Sequence, residues 1–186
     1  MPNAISRTRR PFAMDEAIAL LARTPATLDA LLRDLPDGWI AANEGDKTWS
    51  PFDVVGHLIH GERTDWLPRA RIILQHGESR AFEKFDRFAQ FAESEGRPLS
   101  KLLDEFATLR QTNLRELAAL NITDDDLSRR GRHPELGVVT LGQLLSTWVA
   151  HDLDHVVQIS RVIARQYTDE VGPWQEYLRI ISGKQG

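Results

Sequence analysis

One stretch, from Thr140 to Val162, constrains this chain more than any other. Leu141, Leu144, Trp148, His151, His155, Gln158 and Val162 recur at steps of three and four, the spacing of a buried seam on an amphipathic helix. Two of these positions carry imidazole where leucine is expected. Burying a polar group without a partner costs on the order of 1–3 kcal/mol, so both rings require compensation. A divalent cation supplies it for the pair at once; two hydrogen-bonded core histidines are the alternative.

The rest of the chain suits a helical bundle around that seam. Helical period dominates and strand alternation is scarce. A first helix is expected over 12–35, kinked or restarted at Pro25, and ended by Pro36-Asp-Gly38. A second opens at Ser50-Pro51-Phe-Asp53, where Ser can cap, Pro fits the first turn and Asp suits the positive end of the helix; it runs to about His76. A polar connection bearing Phe82, Phe85, Phe88 and Phe91 leads to a third helix over 99–120. Residues 121–139 are too broken by Asp, Gly and Pro for a long element and read as a long crossover. Thr140 with Gln143 forms a capping box for the fourth helix, which continues to about Tyr167, and a short extra C-terminal helix follows Pro173. The expected fold is therefore all-α, an antiparallel four-helix bundle in one domain over 12–186, with residues 1–11 a loose leader.

Composition removes whole classes of function. A formal net charge of -4 across 186 residues argues against a phosphate-backbone partner, which would demand a clustered Lys/Arg surface, and so disfavours nucleic acid. There is no cysteine, which excludes disulfides, thiolate ligands and a cysteine nucleophile and agrees with a cytoplasmic setting. No apolar run approaches membrane-spanning length, and the positively charged start lacks a following apolar core, so no membrane partner is expected.

An i, i+4 imidazole pair is a bidentate platform, and an ion then needs a ligand from another helix. His57 and His60 on the second helix are the available histidines. Val54, Val55, Leu58, Ile59 and Trp66 define its apolar stripe; His57 lies near one margin and His60 further round, which slightly prefers His57 but leaves both open. Three neutral imidazoles leave a coordination position at which zinc lowers the pKa of water toward ~7, or ionises a thiol. Glu62, in the middle of the stripe, is either a catalytic or ring-orienting carboxylate or the partner of a buried arginine such as Arg110. Asp152 and Asp154 lie off the seam and read as solvated surface charges. Asp152 stands where a zinc protease of the His-Glu-x-x-His type has glutamate, so peptidase activity is not expected. Trp148 reads as a core or interface indole, Arg129, Arg130 and Arg132 as a solvated loop, and Ser146 and Ser160 as helix residues lacking a nucleophile elbow.

In order and spacing, Trp49-Ser50, His57-Leu58, Glu62, Phe106, Leu109-Arg110, His133-Pro134, Gly137, Thr140-Leu141, His151-Asp-Leu-Asp-His155 and Gln158-Ile159 resemble the DinB-like superfamily across roughly residues 12–165. That resemblance implies an up-down-down-up four-helix bundle, often a homodimer. It also implies metal ligands His57, His151 and His155. Relatives of this type include S-transferases that use a low-molecular-weight thiol and a mycothiol-dependent isomerase, and many others are assigned only as metal-dependent hydrolases. The expectation is a metal-dependent transferase or hydrolase acting on a small molecule. Zinc leads among the divalent metals, with nickel, iron and copper also compatible with three imidazoles. With no thiol in the chain and Glu62 the sole visible base, thiol transfer is slightly favoured. A non-catalytic bundle, secured by metal and acting through dimerisation or partner binding, is the alternative.

Overall fold

The computed structural model describes residues 11–183. The chain runs α1 (Met14–Leu21), α2 (Thr24–Leu32), α3 (Asp37–Ala41), α4 (Pro51–Thr64), α5 (Trp66–His76), α6 (Ala89–Ser94), α7 (Leu99–Ala119), strands β1 (Arg130–His133) and β2 (Gly137–Thr140), α8 (Leu141–Arg165) and α9 (Arg179–Ser182). The leader expected over residues 1–11 lies outside the described residues but for its last position.

Both capping boxes form. Ser50 accepts from the Asp53 N–H while Asp53 accepts from the Ser50 N–H, and Thr140 and Gln143 do the same for α8. Elsewhere the helices are more interrupted than their apolar pattern suggests. The first restarts at Thr24 with Pro25 in its opening turn, where a missing N–H costs nothing. The second, expected unbroken to about His76, breaks at Asp65 between α4 and α5, where Pro68 in the first turn of α5 has no N–H to bond the Thr64 carbonyl. The Phe-bearing connection holds the short helix α6, and the crossover holds the antiparallel hairpin β1–β2, pairing Gly131 with Val139. The terminal segment is a 310 turn at Gly172–Tyr177 followed by α9. No helix among the described residues is long and apolar enough to cross a membrane.

The apolar interior is divided into two clusters. Leu21, Trp66, Leu67, Ala70, Ile73, Leu114, Leu117, Leu141, Leu144 and Trp148 belong to one. Leu28, Leu32, Val54, Val55, Leu58, Ile59, Leu102, Phe106 and Ile159 belong to the other. Where α7 and α8 pass from one set to the other the buried residues are polar, Arg110 and Asn113 on α7 and Asp152 and His155 on α8, and α4 adds buried His57, His60 and Glu62. Such a belt persists only where its members satisfy one another.

Candidate metal centre

α8 presents His151 and His155 one turn apart toward α4, and α4 answers with His57. The Nε2 atoms of His57 and His151 are 3.1 Å apart, and those of His155 and His151 also 3.1 Å. One ring nitrogen from each of the three histidines lies within 4.8 Å of the others. Imidazole nitrogens ~2.0–2.1 Å from a common zinc are separated by roughly 3.0 Å at right angles and 3.4 Å at the tetrahedral angle, so the observed spacing fits a shared cation.

The outer nitrogens hold the rings in the required tautomer. Gln90 Oε1 on α6 is 3.1 Å from His57 Nδ1, and Gln158 Oε1 is 2.8 Å from His155 Nδ1. A carbonyl oxygen accepts only, so each Nδ1 carries the proton and each Nε2 a lone pair. His151 Nδ1 is buried with no partner among the described residues. Gly56 makes the first of these bonds reachable: a Cβ there would sit 2.5 Å from Ser94 Oγ, so only glycine lets α6 approach closely enough to bring Gln90 to His57. Trp49 packs on His57 and stacks on His155, and Trp66 meets His151 edge-on. Burial, reinforced by His155, pushes His57 down to about 4. Burial and both neighbouring rings push His151 down to about 3, and burial also lowers His155. All three rings are thus neutral at pH 7, the form that binds a metal.

The three histidines open on a cavity of about 840 Å3, walled by Trp49, Trp66, Phe85, Phe88 and Arg69 and including Asp65. A site of this form is reachable by a small molecule, unlike a structural zinc site closed by four protein ligands.

Glu62 does not line this cavity. Its Oε1 accepts from Arg110 Nη2 at 2.7 Å, Arg110 Nε at 3.0 Å and Trp148 Nε1 at 3.2 Å, and its Oε2 from Asn113 at 2.9 Å. Of the two roles open to it in sequence, the pairing with Arg110 is the one formed. Burial raises its carboxyl above the usual range, against the pull of Arg110. Asp152 corrects the expectation of a solvated surface charge. It is 1% exposed and accepts from Arg110 Nη1 at 2.5 Å and Nη2 at 3.1 Å. The seam predicted one buried face, but α8 packs against α1, α2, α4 and α5, and its buried arc widens to include the position after His151. Asp154 stays exposed, as expected.

His60 is as buried as His57 but turns to Glu93 on α6, with Nδ1 3.2 Å from Oε1. Trp148 is a core indole, stacked on Trp66 at 5.8 Å. The arginine loop is in part a strand, with Arg130 paired to Glu78. Gln90 escaped sequence reasoning because the Phe-bearing connection carries no helical period. Asp65 and Arg69, paired across the break between α4 and α5, also line the cavity; neither was singled out in sequence, where the second helix was expected to run unbroken.

A profile describing the DinB superfamily matches residues 20–159. A solved structure from Bacillus subtilis, YfiT, described as a probable metal-dependent hydrolase with an unusual four-helix bundle topology, superposes with a TM-score of 0.73 at 23% identity, over 85% of this chain and 91% of that one. A comparison with curated proteins finds no match. With the profile spanning most of the sequence and its range enclosing the three converging histidines, the chain belongs to the DinB superfamily.

Proposed function

We propose that this protein is a metal-dependent enzyme in which His57, His151 and His155 hold a divalent ion, zinc before nickel or iron, and which acts on a small molecule. The observation that carries the proposal is the convergence of three neutral Nε2 atoms at the wall of an open cavity, two of them held by glutamine carbonyls. A divalent ion bound there lowers the pKa of water or a thiol at its open coordination position. The chain's own residues do the rest. Gln90 and Gln158 keep the imidazoles oriented, while Trp49, Trp66 and Phe85 exclude bulk water. Glu62, spent on Arg110, Asn113 and Trp148, positions α4 against α7 and α8 rather than moving protons. Proton acceptance falls to Asp65, which lines the cavity and whose carboxyl burial pushes up.

This makes hydrolysis the first reading, in line with what YfiT is described to be. Thiol transfer is the second, favoured by a cavity of about 840 Å3 that can admit a thiol beside an electrophile in a chain with no cysteine. The proposal includes one domain over 12–186 and the up-down-down-up order, which cluster membership supports: α4 and α7 both begin in the cluster of Val54 and Phe106, whereas α8 ends there. It also includes a homodimer, for which Leu153 and Val157, one turn apart on α8, and Trp174 and Tyr177 beyond it are exposed apolar side chains.

The test is elemental analysis of protein purified without a histidine tag. Turnover of 4-nitrophenyl acetate, and of 1-chloro-2,4-dinitrobenzene with 2-mercaptoethanol, then separates hydrolysis from thiol transfer. About one ion per chain is expected, lost in His155→Ala together with turnover. Substoichiometric metal that is unchanged in His155→Ala overturns the proposal.

A further inference from the structure

Two arginines are buried among the described residues, and they are used differently. Arg110, 1% exposed, directs hydrogen bonds to both Glu62 and Asp152 and to the Leu21 carbonyl, engaging all three of its nitrogens. Arg69, 7% exposed, is far less satisfied. Its Nε lies 2.5 Å from Asp65 Oδ1, but off the hydrogen-bond line, so that oxygen accepts no hydrogen bond. Its Nη2 donates to the Glu83 carbonyl at 3.3 Å, and Nη1 has no partner among the described residues. Phe82 supports the guanidinium from one face at 5.2 Å. Burial outweighs Asp65 and lowers the Arg69 pKa, whereas two carboxylates raise that of Arg110.

Arg69 lines the same cavity as the three histidines. A largely desolvated guanidinium with unspent donors is under-compensated, and a carboxylate is the ligand whose paired oxygens match its fork. Resting on the reading of this cavity as the substrate site, we propose that Arg69 is a carboxylate-receiving subsite and that the natural reactant is a small carboxylate. Its anionic end meets Arg69, its reacting end meets the histidines, and its apolar body lies against Trp66 and Phe85.

The probe is benzoate, with benzamide as its uncharged counterpart, titrated calorimetrically into the full chain both zinc-loaded and dialysed against EDTA. Benzoate is expected to bind both forms, roughly tenfold or more tighter than benzamide. Arg69→Met should lose at least about tenfold in both forms and Arg69→Lys should lose less. If Arg69→Met fails to fold, the Asp65→Asn/Arg69→Met double variant replaces it, since it strands no carboxylate. Benzoate binding that is absent from the wild type, requires zinc, or is unchanged in these variants overturns the proposal. Arg69-dependent binding to a chain that holds no metal after purification leaves the subsite standing and removes the metalloenzyme instead.

Discussion

The Nε2 atoms of His57 and His151 lie 3.1 Å apart even though Gln90 has already drawn the His57 proton to the opposite nitrogen. His155 stands in the same relation to His151, with Gln158 holding its Nδ1 proton. In metal-free protein only His151 can place a proton between them, which leaves its buried Nδ1 bare. Long-range 15N–1H NMR is therefore expected to show Nδ1–H tautomers at 57 and 155 and an Nε2–H tautomer at 151, with residue 151 alone switching when zinc is added. Three identical tautomers in the metal-free protein would contradict the arrangement.

Gln90→Leu removes the acceptor that orients His57 while leaving all three ligands present. Losses on removing such an outer partner run to about 10–100-fold in metal affinity. Competition with a chromophoric chelator should place the variant in that range, with the helical signal in circular dichroism unchanged. Wild-type affinity would show that His57 is oriented by packing alone.

The guanidinium of Arg110 compensates two buried carboxylates, so removing it leaves Glu62 and Asp152 facing each other without a cation. Arg110→Met is expected to cost about 3–5 kcal/mol in urea unfolding, and adding Glu62→Gln to it should recover part of that loss. A loss under about 1 kcal/mol would mean that the apolar clusters hold the helices without this belt.

Metal-free stability should fall with acid in a defined window. His57 and His151 are lowered from 6.5 to about 4 and about 3, so below pH 6.5 the unfolded chain binds protons that the folded one refuses. The stabilising difference is fully present above 6.5 and drains away as pH drops toward 4, by up to ~1.4 kcal/mol per pH unit for each histidine. Urea midpoints measured in EDTA across this range should decline, and the decline should flatten in His57→Leu. A level profile in the wild type rules out three buried neutral rings.

Gly56→Ala places a methyl group 2.5 Å from Ser94 Oγ. The overlap should cost about 1–3 kcal/mol and loosen α6, and Ser94→Ala should restore most of it by removing the atom struck. Differential scanning calorimetry of the three variants distinguishes this local clash from a general intolerance of the helix.

Sequence periodicity was enough to identify a helical bundle and to put His151 and His155 on one face, because i, i+4 spacing is a property of the helix itself. It recovered both capping boxes for the same reason, since each is closed by residues three apart. What it could not decide was how each helix is surrounded. Every residue of α4 from Val54 to Glu62 is buried, so the stripe could only slightly favour His57 over His60; the choice was made by which neighbour, α8 or α6, each ring meets. Asp152 was misjudged by the same limitation, being off the seam of its own helix yet directly opposite Arg110 of another. Local spacing determined the elements and two of the three histidines. The third, His57, was slightly preferred by its stripe and named by the family resemblance, but only tertiary packing brought it rather than His60 to the other two, turned Glu62 toward Arg110, and carried Gln90 to His57 and Arg69 to the cavity, because partners separated by tens of residues meet only once the helices have docked.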